Sequence, residues 1–465
     1  MYNWLQVQAQ HLPDKPAVIF DGETVTFSQL YSKSLDLKGH MASLNRRRIG
    51  LFIGNTMDAV HIIHAAILAN IEVVLINTRL TAREIGQQLD DIGVDTVVAT
   101  EPLELEGYDV HGIKDLWNKI AVPDQQSSLS GDSVLSIMFT SGTTGRAKAV
   151  PQTFRNHHAS ALGCEERFGY SEESIWMNVN PVYHISGFSV LLRSVIRGCT
   201  MVLVEKFEEN AVWDTITEYK VTHTSMVPVM LGRLLDQPLP AHELEGVLLG
   251  GAGVTREVLS RALDAGLPVY NSFGMTETCS QVVSIAHDDP NILEGTVGQP
   301  LGNIELRIDE SNDGELLVRG APVTQGYLNA EIEMSDGYFR TGDMGYIDEN
   351  GYLYILDRRK DLIISGGENV YPKEIEDVVI TIPEVANAAV VKRKDAKWGE
   401  VPILLVEEKA GMEIGDDEIM NHLDGRLARY KLPKEIHRMA HIIMTSTGKV
   451  SRVQNQKVYD AKKKQ

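Results

Sequence analysis

Between residues 49 and 274, short β-branched runs alternate with helix-like stretches, and this rhythm constrains the fold more than any other feature. "IGLFIG" at 49–54 precedes "MDAVHIIHAAILAN", and "VDTVVAT" at 94–100 follows "TAREIGQQLDDIG". The pattern resumes with apolar runs at 199–207 and 244–253. Two neighbouring parallel strands need a crossover connection, which is usually a helix. An alternation of strands and helices is therefore typical of βαβ units. The sequence therefore predicts an α/β fold in which helices cover largely parallel sheets.

The pattern changes after about residue 300. Residues 305–320 and 337–361 alternate in hydrophobicity and are punctuated by Asp-Gly and Asn-Gly pairs, which is typical of hairpins. We predict an N-terminal domain of residues 1–356, whose last part is a β-rich subdomain at about 300–356. The basic cluster "DRRKD" begins at residue 357, and the smaller α+β pattern beyond it predicts a C-terminal domain of residues 357–465.

Charge and cysteine content exclude several classes of protein. The 44 basic and 64 acidic side chains give a net charge of −20, which disfavours non-specific binding to nucleic acid or anionic lipid. Three widely spaced cysteines offer neither a disulfide framework nor a four-ligand zinc site, so we expect a reducing, cytoplasmic location. The richest apolar stretch, 65–77, is broken by Asn70 and Glu72. We expect neither a signal peptide nor a membrane span.

The segment "SIMFTSGTTGRAKAVPQT", residues 136–153, sets hydroxyls and glycines at the end of an apolar run. Hydroxyl and backbone N–H groups can hold phosphate oxygens, and glycines allow the backbone to approach closely. The segment is not a Walker A loop, because the GK[ST] ending is missing and Pro151 interrupts the expected helix start. Taken alone, it also fits an ordinary Gly/Thr-rich connection. The candidate phosphate ligands are Thr140, Ser141, Gly142, Thr143, Thr144, Gly145 and Lys148.

Four more motifs follow in a fixed order, and together they decide the interpretation. They are "NSFGMTE" at 271–277, "TGD" at 341–343, "SGGEN" at 365–369 and "TSTGKVSR" at 445–452. With the loop and "DRRKD", this order resembles the adenylate-forming superfamily of acyl-CoA synthetases, peptide-synthetase adenylation domains and luciferases, over nearly the whole chain. The resemblance implies that ATP activates a carboxylic acid as an acyl-adenylate with Mg²⁺, and that CoA then captures the acyl group. "YNSFGMTETCSQVV" and "DLIISGGENVYPKEIE" are most similar to the ligases of menaquinone biosynthesis, which implies 2-succinylbenzoate as the acid.

The resemblance also implies roles in adenylation. Lys449 would bridge the attacking carboxylate and the α-phosphate, Thr276 would donate to the α-phosphate, and Glu277 would bind Mg²⁺. Asp343 would hold the ribose hydroxyls with help from Arg358. The residues expected around the nucleotide are Gly250, Gly251, Ala252, Asn271, Ser272, Phe273, Gly274 and Met275. Met444 stands where the family usually has a proline before the lysine motif.

For the thioester step, the resemblance implies a small domain that swings about Lys360. Gly366 and Gly367 would line a tunnel for CoA, and Trp398 is either a wall of the CoA site or a packed core residue. His184 would flank the reacting carboxyl, although a structural histidine fits as well. Near the acid, small residues would leave room for a ring, and these are Ser186, Gly187, Gly253 and Gly274. Thr278 and Ser280 would offer polar contacts to the acid. Arg193 would balance a second substrate carboxylate, or else form an ion pair on a helix surface.

Three alternatives remain open at this point. A ligase for another aryl or fatty acid would carry the same motifs. An adenylation domain of a peptide synthetase would need an aspartate to anchor an amino group, and residues 180–193 contain none. A nucleotide-binding regulator could keep the fold and lose the chemistry, but Glu277, Asp343 and Lys449 argue against it. We expect the binding partners to be small molecules and not nucleic acid. A homo-oligomer is left open.

Overall fold

The computed structural model describes residues 3–118, 130–140, 146–310, 314–358, 363–443, 450 and 452–463. The chain forms two compact units. The first comprises residues 1–78, 89–139 and 149–356, and the second comprises 79–88, 140–148 and 357–465. The sequence-based bounds, which assign both short segments to the N-terminal domain, stay a prediction. Within the described ranges, no helix is both long and apolar enough to cross a bilayer.

The secondary structure alternates through most of the first unit. The helices are α1 Trp4–His11, α2 Phe27–Ala42, α3 Met57–Leu68, α4 Ala82–Asp90, α5 Ile113–Asn118, α6 Phe154–Phe168, α7 Ile185–Arg197, α8 Glu209–Glu218, α9 Pro228–Leu235, α10 Arg256–Asp264, α11 Pro372–Val379, α12 Asp416–Leu423 and α13 Arg452–Lys462. The strands are β1 Pro16–Phe20, β2 Glu23–Thr26, β3 Arg48–Phe52, β4 Glu72–Leu75, β5 Thr96–Ala99, β6 Asp109–Gly112, β7 Val134–Thr140, β8 Lys148–Thr153, β9 Ile175–Asn178, β10 Thr200–Leu203, β11 His223–Met226, β12 Gly246–Leu249, β13 Val269–Met275, β14 Ser280–Ile285, β15 Gln299–Pro300, β16 Glu305–Asp309, β17 Glu315–Arg319, β18 Met334–Ser335, β19 Tyr338–Ile347, β20 Leu353–Arg358, β21 Ile363–Ser365, β22 Glu368–Val370, β23 Val385–Asp395, β24 Gly399–Glu408 and β25 Glu435–Arg438.

Two mixed sheets organise the first unit. One has the order β15-β14-β13-β12-β11-β9-β10-β1-β2, and its strands from β1 to β13 in this order run parallel. The other has the order β6-β5-β3-β4-β7-β8, with parallel pairing from β6 to β7. Their strands are short, mostly buried and rich in valine, leucine and isoleucine, as expected for sheets covered on both faces. The predicted α/β class is confirmed.

A separate antiparallel sheet follows, with the order β16-β17-β19-β18 and with β20 paired to β19. Its apolar side chains share a buried cluster with Phe273, Val282 and Val283 from β13 and β14. This shared core fixes the β-rich region against the end of the nine-stranded sheet. As a result, the "TGD" motif on β19 and the "GMTE" motif after β13 belong to one packed body.

The second unit contains a sheet of order β22-β21-β24-β23, with β25 parallel to β24. Apolar residues of α11 and α12 pack on one face, and Tyr459 of α13 packs on the other. The sequence predicts a helix over 416–428, but α12 ends at Leu423. Gly425 adopts a left-handed conformation with φ of +74°, which a continuing helix cannot accommodate.

Helix α6 supplies buried side chains that contact β7 and the backbone after the Thr276–Thr278 turn. Thr153 and Asn156 form reciprocal hydrogen bonds in a capping box at its start. Gly169 ends it with φ of +74°. Between these caps, His157, Ser160 and Cys164 lie on the buried face of the helix.

Candidate active site

The predicted nucleotide residues lie where neighbouring parallel strands end. Leu249 is the last residue of β12 and pairs with Asn271 of β13, so residues 250–253 begin at the carboxyl edge of the sheet. Strand β13 continues past this edge to Met275 as the antiparallel partner of β14. In open α/β sheets, ligands bind outside the carboxyl ends of the strands. The sheet thus brings residues 250–253 and 272–275 to the edge where a nucleotide would bind.

Glu277 is the middle residue of the short 3₁₀ turn Thr276–Thr278 and is only 5% exposed. The Tyr327 hydroxyl donates to its Oε1 at 3.1 Å, and the backbone N–H of Thr324 donates to its carbonyl at 2.8 Å. A surface acid would not be enclosed in this way. A single carboxylate completed by phosphate oxygens is the kind of site that suits Mg²⁺. The described residues hold no cluster of three or more acidic, histidine or cysteine side chains arranged for a metal.

The "TGD" motif occupies a bulge in β19. Arg340 pairs with Leu317 and Met344 with Glu315, so three residues of β19 face one of β17. Glu315 supports this bulge with both carboxylate oxygens: Oε1 accepts from the N–H of Gly342 at 2.9 Å, and Oε2 binds Arg340. Gly342 has φ of +75°. Bulges can re-aim side chains, and the buried Asp343 is the last of the three residues in this one.

The residues expected beside the adenine have structural partners too. Ser272 Oγ donates to the Leu249 carbonyl at 2.6 Å, and Asn271 Nδ2 donates to the Thr296 carbonyl at 3.2 Å. Phe273 is 8% exposed and packs in the core shared with the β-rich sheet. Gly250, Gly251 and Ala252 follow β12 without regular structure. Their contacts to a nucleotide stay a prediction.

His184 precedes α7 as its N-cap residue, and its ring lies 4.8 Å from that of Tyr183. Three residues on, a Cβ at Gly187 would come within 2.3 Å of the Pro181 carbonyl oxygen. A Cβ at Gly274 would come within 2.1 Å of the Ser280 carbonyl oxygen. Close backbone contacts therefore already require glycine at both positions. Of the three glycines expected to leave room for the acid, Gly253 is the one with no atom within 4 Å of its Cβ position.

Thr278 is fully buried, and its hydroxyl is used inside its own turn. Oγ1 accepts from the N–H of Met275 at 2.9 Å and lies 2.7 Å from the Ser280 carbonyl. These bonds commit the hydroxyl to the backbone, and the expected polar contact between Thr278 and the acid stays a prediction. Ser186, which is half-buried in the first turn of α7, keeps its predicted role.

Arg193 is 2% exposed although it lies on a helix. Its Nη2 donates to Gln281 Oε1 at 2.9 Å and to Ser160 Oγ at 3.3 Å, and its guanidinium lies 5.7 Å from the Trp176 ring centre. No acidic side chain in the described part of the chain pairs with it. The alternative of an ion pair on the helix surface is therefore wrong.

Gly366 and Gly367 form the two-residue turn of a hairpin in the second unit. Ser365 pairs with Glu368 across the turn, and the glycines have φ of +59° and +84°, as in a type I′ turn. A Cβ at Gly366 would lie 2.7 Å from the Trp398 ring, and its N–H donates to the Trp398 carbonyl at 2.7 Å. The turn and Trp398 thus explain these glycines structurally, while contact with CoA stays a prediction.

Several predicted residues fall outside the described part of the chain: Ser141, Gly142, Thr143, Thr144, Gly145, Lys360 and Lys449. Arg358 is described only as the last residue of β20. Thr140 ends β7 and Lys148 begins β8, so they flank the glycine and threonine segment.

Three supporting residues could not be identified from motifs. Tyr327, which contacts Glu277, lies in "TQGYLN", and Glu315, which supports the "TGD" bulge, reads as one acid among many. Gln152 donates from Nε2 to the Thr276 carbonyl at 2.8 Å from 124 positions away. None of them has a local signal that points to a site.

Comparison with known proteins settles the family. The AMP-binding enzyme model matches residues 5–328, and the AMP-binding enzyme C-terminal domain model matches residues 374–449. The chain belongs to the AMP-binding enzyme family. Within this family, the 2-succinylbenzoate–CoA ligase of Staphylococcus epidermidis is 44% identical over 97% of this chain and 96% of its own length. The corresponding ligase of Staphylococcus aureus is 40% identical over 97% and 98%.

Solved structures of the same family cover the chain almost completely. The o-succinylbenzoate CoA synthetase of Bacillus subtilis, as a double mutant bound to a product analogue, is 34% identical with a TM-score of 0.93 over 98% of both chains. The same enzyme in complex with ATP and magnesium is 34% identical with a TM-score of 0.75, over 97% of this chain and 98% of its own.

Proposed function

We propose that this chain is an ATP-dependent 2-succinylbenzoate–CoA ligase that forms AMP and pyrophosphate. Relatives of that name align with it from end to end at 40–44% identity. The structural observation that carries the choice of acid is Arg193, a buried guanidinium without an acidic partner in the described chain. We place the reaction in menaquinone biosynthesis.

The reaction has two steps. An oxygen of the acid attacks the α-phosphorus of ATP, the bond to the β-phosphate breaks, and pyrophosphate leaves. The sulfur of CoA then attacks the acyl carbon, the thiol loses its proton, and AMP leaves with the electron pair of the acyl–oxygen bond. The protein contributes positioning and charge stabilisation.

Each proposed residue acts on charge or position in the first step. Lys449 offsets negative charge between the carboxylate and the α-phosphate, and Thr276 donates to that phosphate. Glu277 would hold Mg²⁺, which neutralises phosphate charge when bound. Asp343 accepts from the ribose hydroxyls. His184 would flank the reacting carboxyl.

A second carboxylate on the acid explains Arg193. Burying a guanidinium without a counter-charge is costly, and its two described hydrogen-bond partners, Gln281 and Ser160, are neutral. Gln281 pairs with Gly274 across β13 and β14, so its hydrogen bond with Arg193 links the cation to the strand pair that carries Gly274, one of the residues predicted near the acid. An acid with two carboxylates would supply the missing negative charge, whereas benzoate or a fatty acid would not.

The test is AMP release from ATP, Mg²⁺ and CoA with 2-succinylbenzoate, benzoate, a medium-chain fatty acid or an amino acid. We expect turnover with 2-succinylbenzoate alone. Turnover of another acid would retain the ligase chemistry and reject the pathway. ATP binding without turnover of any of the four would favour a regulator.

The variant Arg193→Met should lower kcat/KM for 2-succinylbenzoate on the order of a hundredfold, because a buried charge pair loses one partner. Any residual turnover of benzoate should change far less. Arg197→Met is the matched control: Arg197 lies one turn further along α7, is half exposed and pairs with Glu165. Equal losses in both variants, or an unchanged kcat/KM in Arg193→Met, would reject the assignment.

A further inference from the structure

A chain of buried hydrogen bonds runs beneath the Thr276–Glu277 turn, and we call it the His157 relay. It comprises Cys279, His157, Ser136, Gln152 and the carbonyl of Thr276. The successive contacts measure 3.1 Å from Cys279 Sγ to His157 Nδ1, 2.8 Å from His157 Nε2 to Ser136 Oγ, 2.8 Å from Ser136 Oγ to Gln152 Oε1, and 2.8 Å from Gln152 Nε2 to the Thr276 carbonyl. All four side chains are at most 3% exposed.

The direction of every bond in the relay follows from its last member. A carbonyl oxygen only accepts, so Gln152 must present its NH₂ group to Thr276 and its oxygen to Ser136. The Ser136 hydroxyl therefore donates to Gln152 and accepts from His157 Nε2–H. Burial, together with the nearby Arg193 charge, lowers the pKa of His157 to about 3, so the ring is neutral. Its Nδ1 is then the acceptor for the thiol of Cys279.

The relay spans a strained piece of backbone. Cys279 has φ of +54° and Ser280 has φ of +100°, a region that residues other than glycine rarely adopt. Strained residues persist only where the surroundings hold them, and they cluster at functional sites. Here the Cys279 thiol is bound by His157, its carbonyl accepts from Ser160 Oγ at 2.6 Å, and its N–H donates to the Thr276 carbonyl at 3.1 Å. The turn that carries Glu277 is thus tied down at both ends.

We propose that His157, Ser136 and Gln152 are positioning residues, which hold Thr276 and Glu277 in place for ATP and Mg²⁺. All three are buried, and we assign them an action through this turn rather than through contact with the nucleotide or the acid. Ser136 lies on β7, directly before the predicted phosphate loop in the chain, so the relay links that strand to the turn after β13. The inference rests on the proposed function, which supplies ATP and Mg²⁺ as the ligands of this turn, but its affinity and stability measurements do not need the acid.

The decisive variant is Gln152→Glu, which nearly preserves shape. The introduced carboxyl restores the relay only while protonated, because an ionised carboxylate cannot donate to the Thr276 carbonyl. Its pKa is therefore raised on folding. Relative to the parent, the free energy of unfolding should fall as pH rises from about 5 to 8. Over the same range, we expect the dissociation constant for ATP with Mg²⁺ to rise on the order of tenfold, as for a lost buried hydrogen bond.

Gln299→Glu is the matched control. Gln299 Nε2 also donates to a backbone carbonyl, that of Asn350 at 3.0 Å, but on the outer strand β15. It should follow the pH dependence of the parent in both measurements. Ser136→Ala, which removes one hydroxyl, should weaken ATP affinity equally at pH 6 and pH 8, and it keeps the inference testable should Gln152→Glu not fold.

The outcomes separate the relay from the proposed function. If Gln152→Glu lost stability at high pH but kept the ATP affinity of the parent, the relay would stabilise the core without positioning the turn. That result would overturn the inference. An unchanged affinity in Ser136→Ala would overturn it as well. Parent protein that binds ATP but does not adenylate 2-succinylbenzoate would reject the acid, while the affinities would still decide on the relay.

Discussion

Replacing Glu277 by glutamine should abolish most magnesium-dependent adenylate formation. The amide keeps the shape of the buried side chain but removes the negative charge expected to hold Mg²⁺ against the phosphates. We expect a loss in kcat of about a hundredfold or more, comparable to removal of a key electrostatic group from an active site. The measurement is isotope exchange between pyrophosphate and ATP in the presence of 2-succinylbenzoate, as a function of Mg²⁺ concentration.

Tyr327→Phe provides the control for this prediction. It removes the phenol that donates to Glu277 Oε1 at 3.1 Å and leaves the carboxylate in place. The loss of one hydrogen bond from a neutral donor to a charged acceptor should lower kcat about tenfold. If Glu277→Gln retained parental exchange at low Mg²⁺, the carboxylate would have a packing role and the metal assignment would fail.

The variant Lys449→Ala should lose adenylate formation by about a hundredfold or more while ATP binding is largely kept. The lysine is proposed to oppose charge that develops between the carboxylate and the α-phosphate, so its contribution is greatest in the transition state. The exchange assay reports this step, and calorimetric titration reports ATP affinity.

Supplying the acyl-adenylate isolates the second step. Lys449→Ala should then form the CoA thioester at nearly the parental rate, because the lysine has no proposed role there. Lys457→Ala, in an exposed position on α13, should leave both steps unchanged. Unchanged exchange in Lys449→Ala, or equal slowing of both steps, would contradict the assigned role.

The sequence predicted the architecture because apolar runs of the right length determine strands and helices locally. The runs at 94–100 and 244–253 contain strands β5 and β12, each fully buried. Glu277, at the end of the "NSFGMTE" motif, follows the last residue of β13 by two positions. Helix α12 shows its limit: one left-handed glycine after Leu423 ended a helix that periodicity alone would extend.

The support around the candidate site could not be predicted, because it comes from contacts distant in sequence. Glu315 reaches the N–H of Gly342 across 27 positions, and Gln152 reaches Thr276 across 124. The sequence left Arg193 open as a partner for a second carboxylate or as a helix-surface cation, and only its contacts with Trp176 and Gln281 show that it is buried. Gly187 and Gly274 were expected to leave room for the acid because they are small. Close contacts with backbone atoms explain why glycine is required at both positions.

The one-way order of the His157 relay has a consequence for proton movement. A proton can pass along a hydrogen-bonded chain only if every member can reverse its roles, and the Thr276 carbonyl at the end can never become a donor. The relay therefore cannot conduct a proton to the active site. Its proposed value is mechanical, because the one permitted arrangement of hydrogens within the relay offers the Thr276 carbonyl a single pattern of bonds.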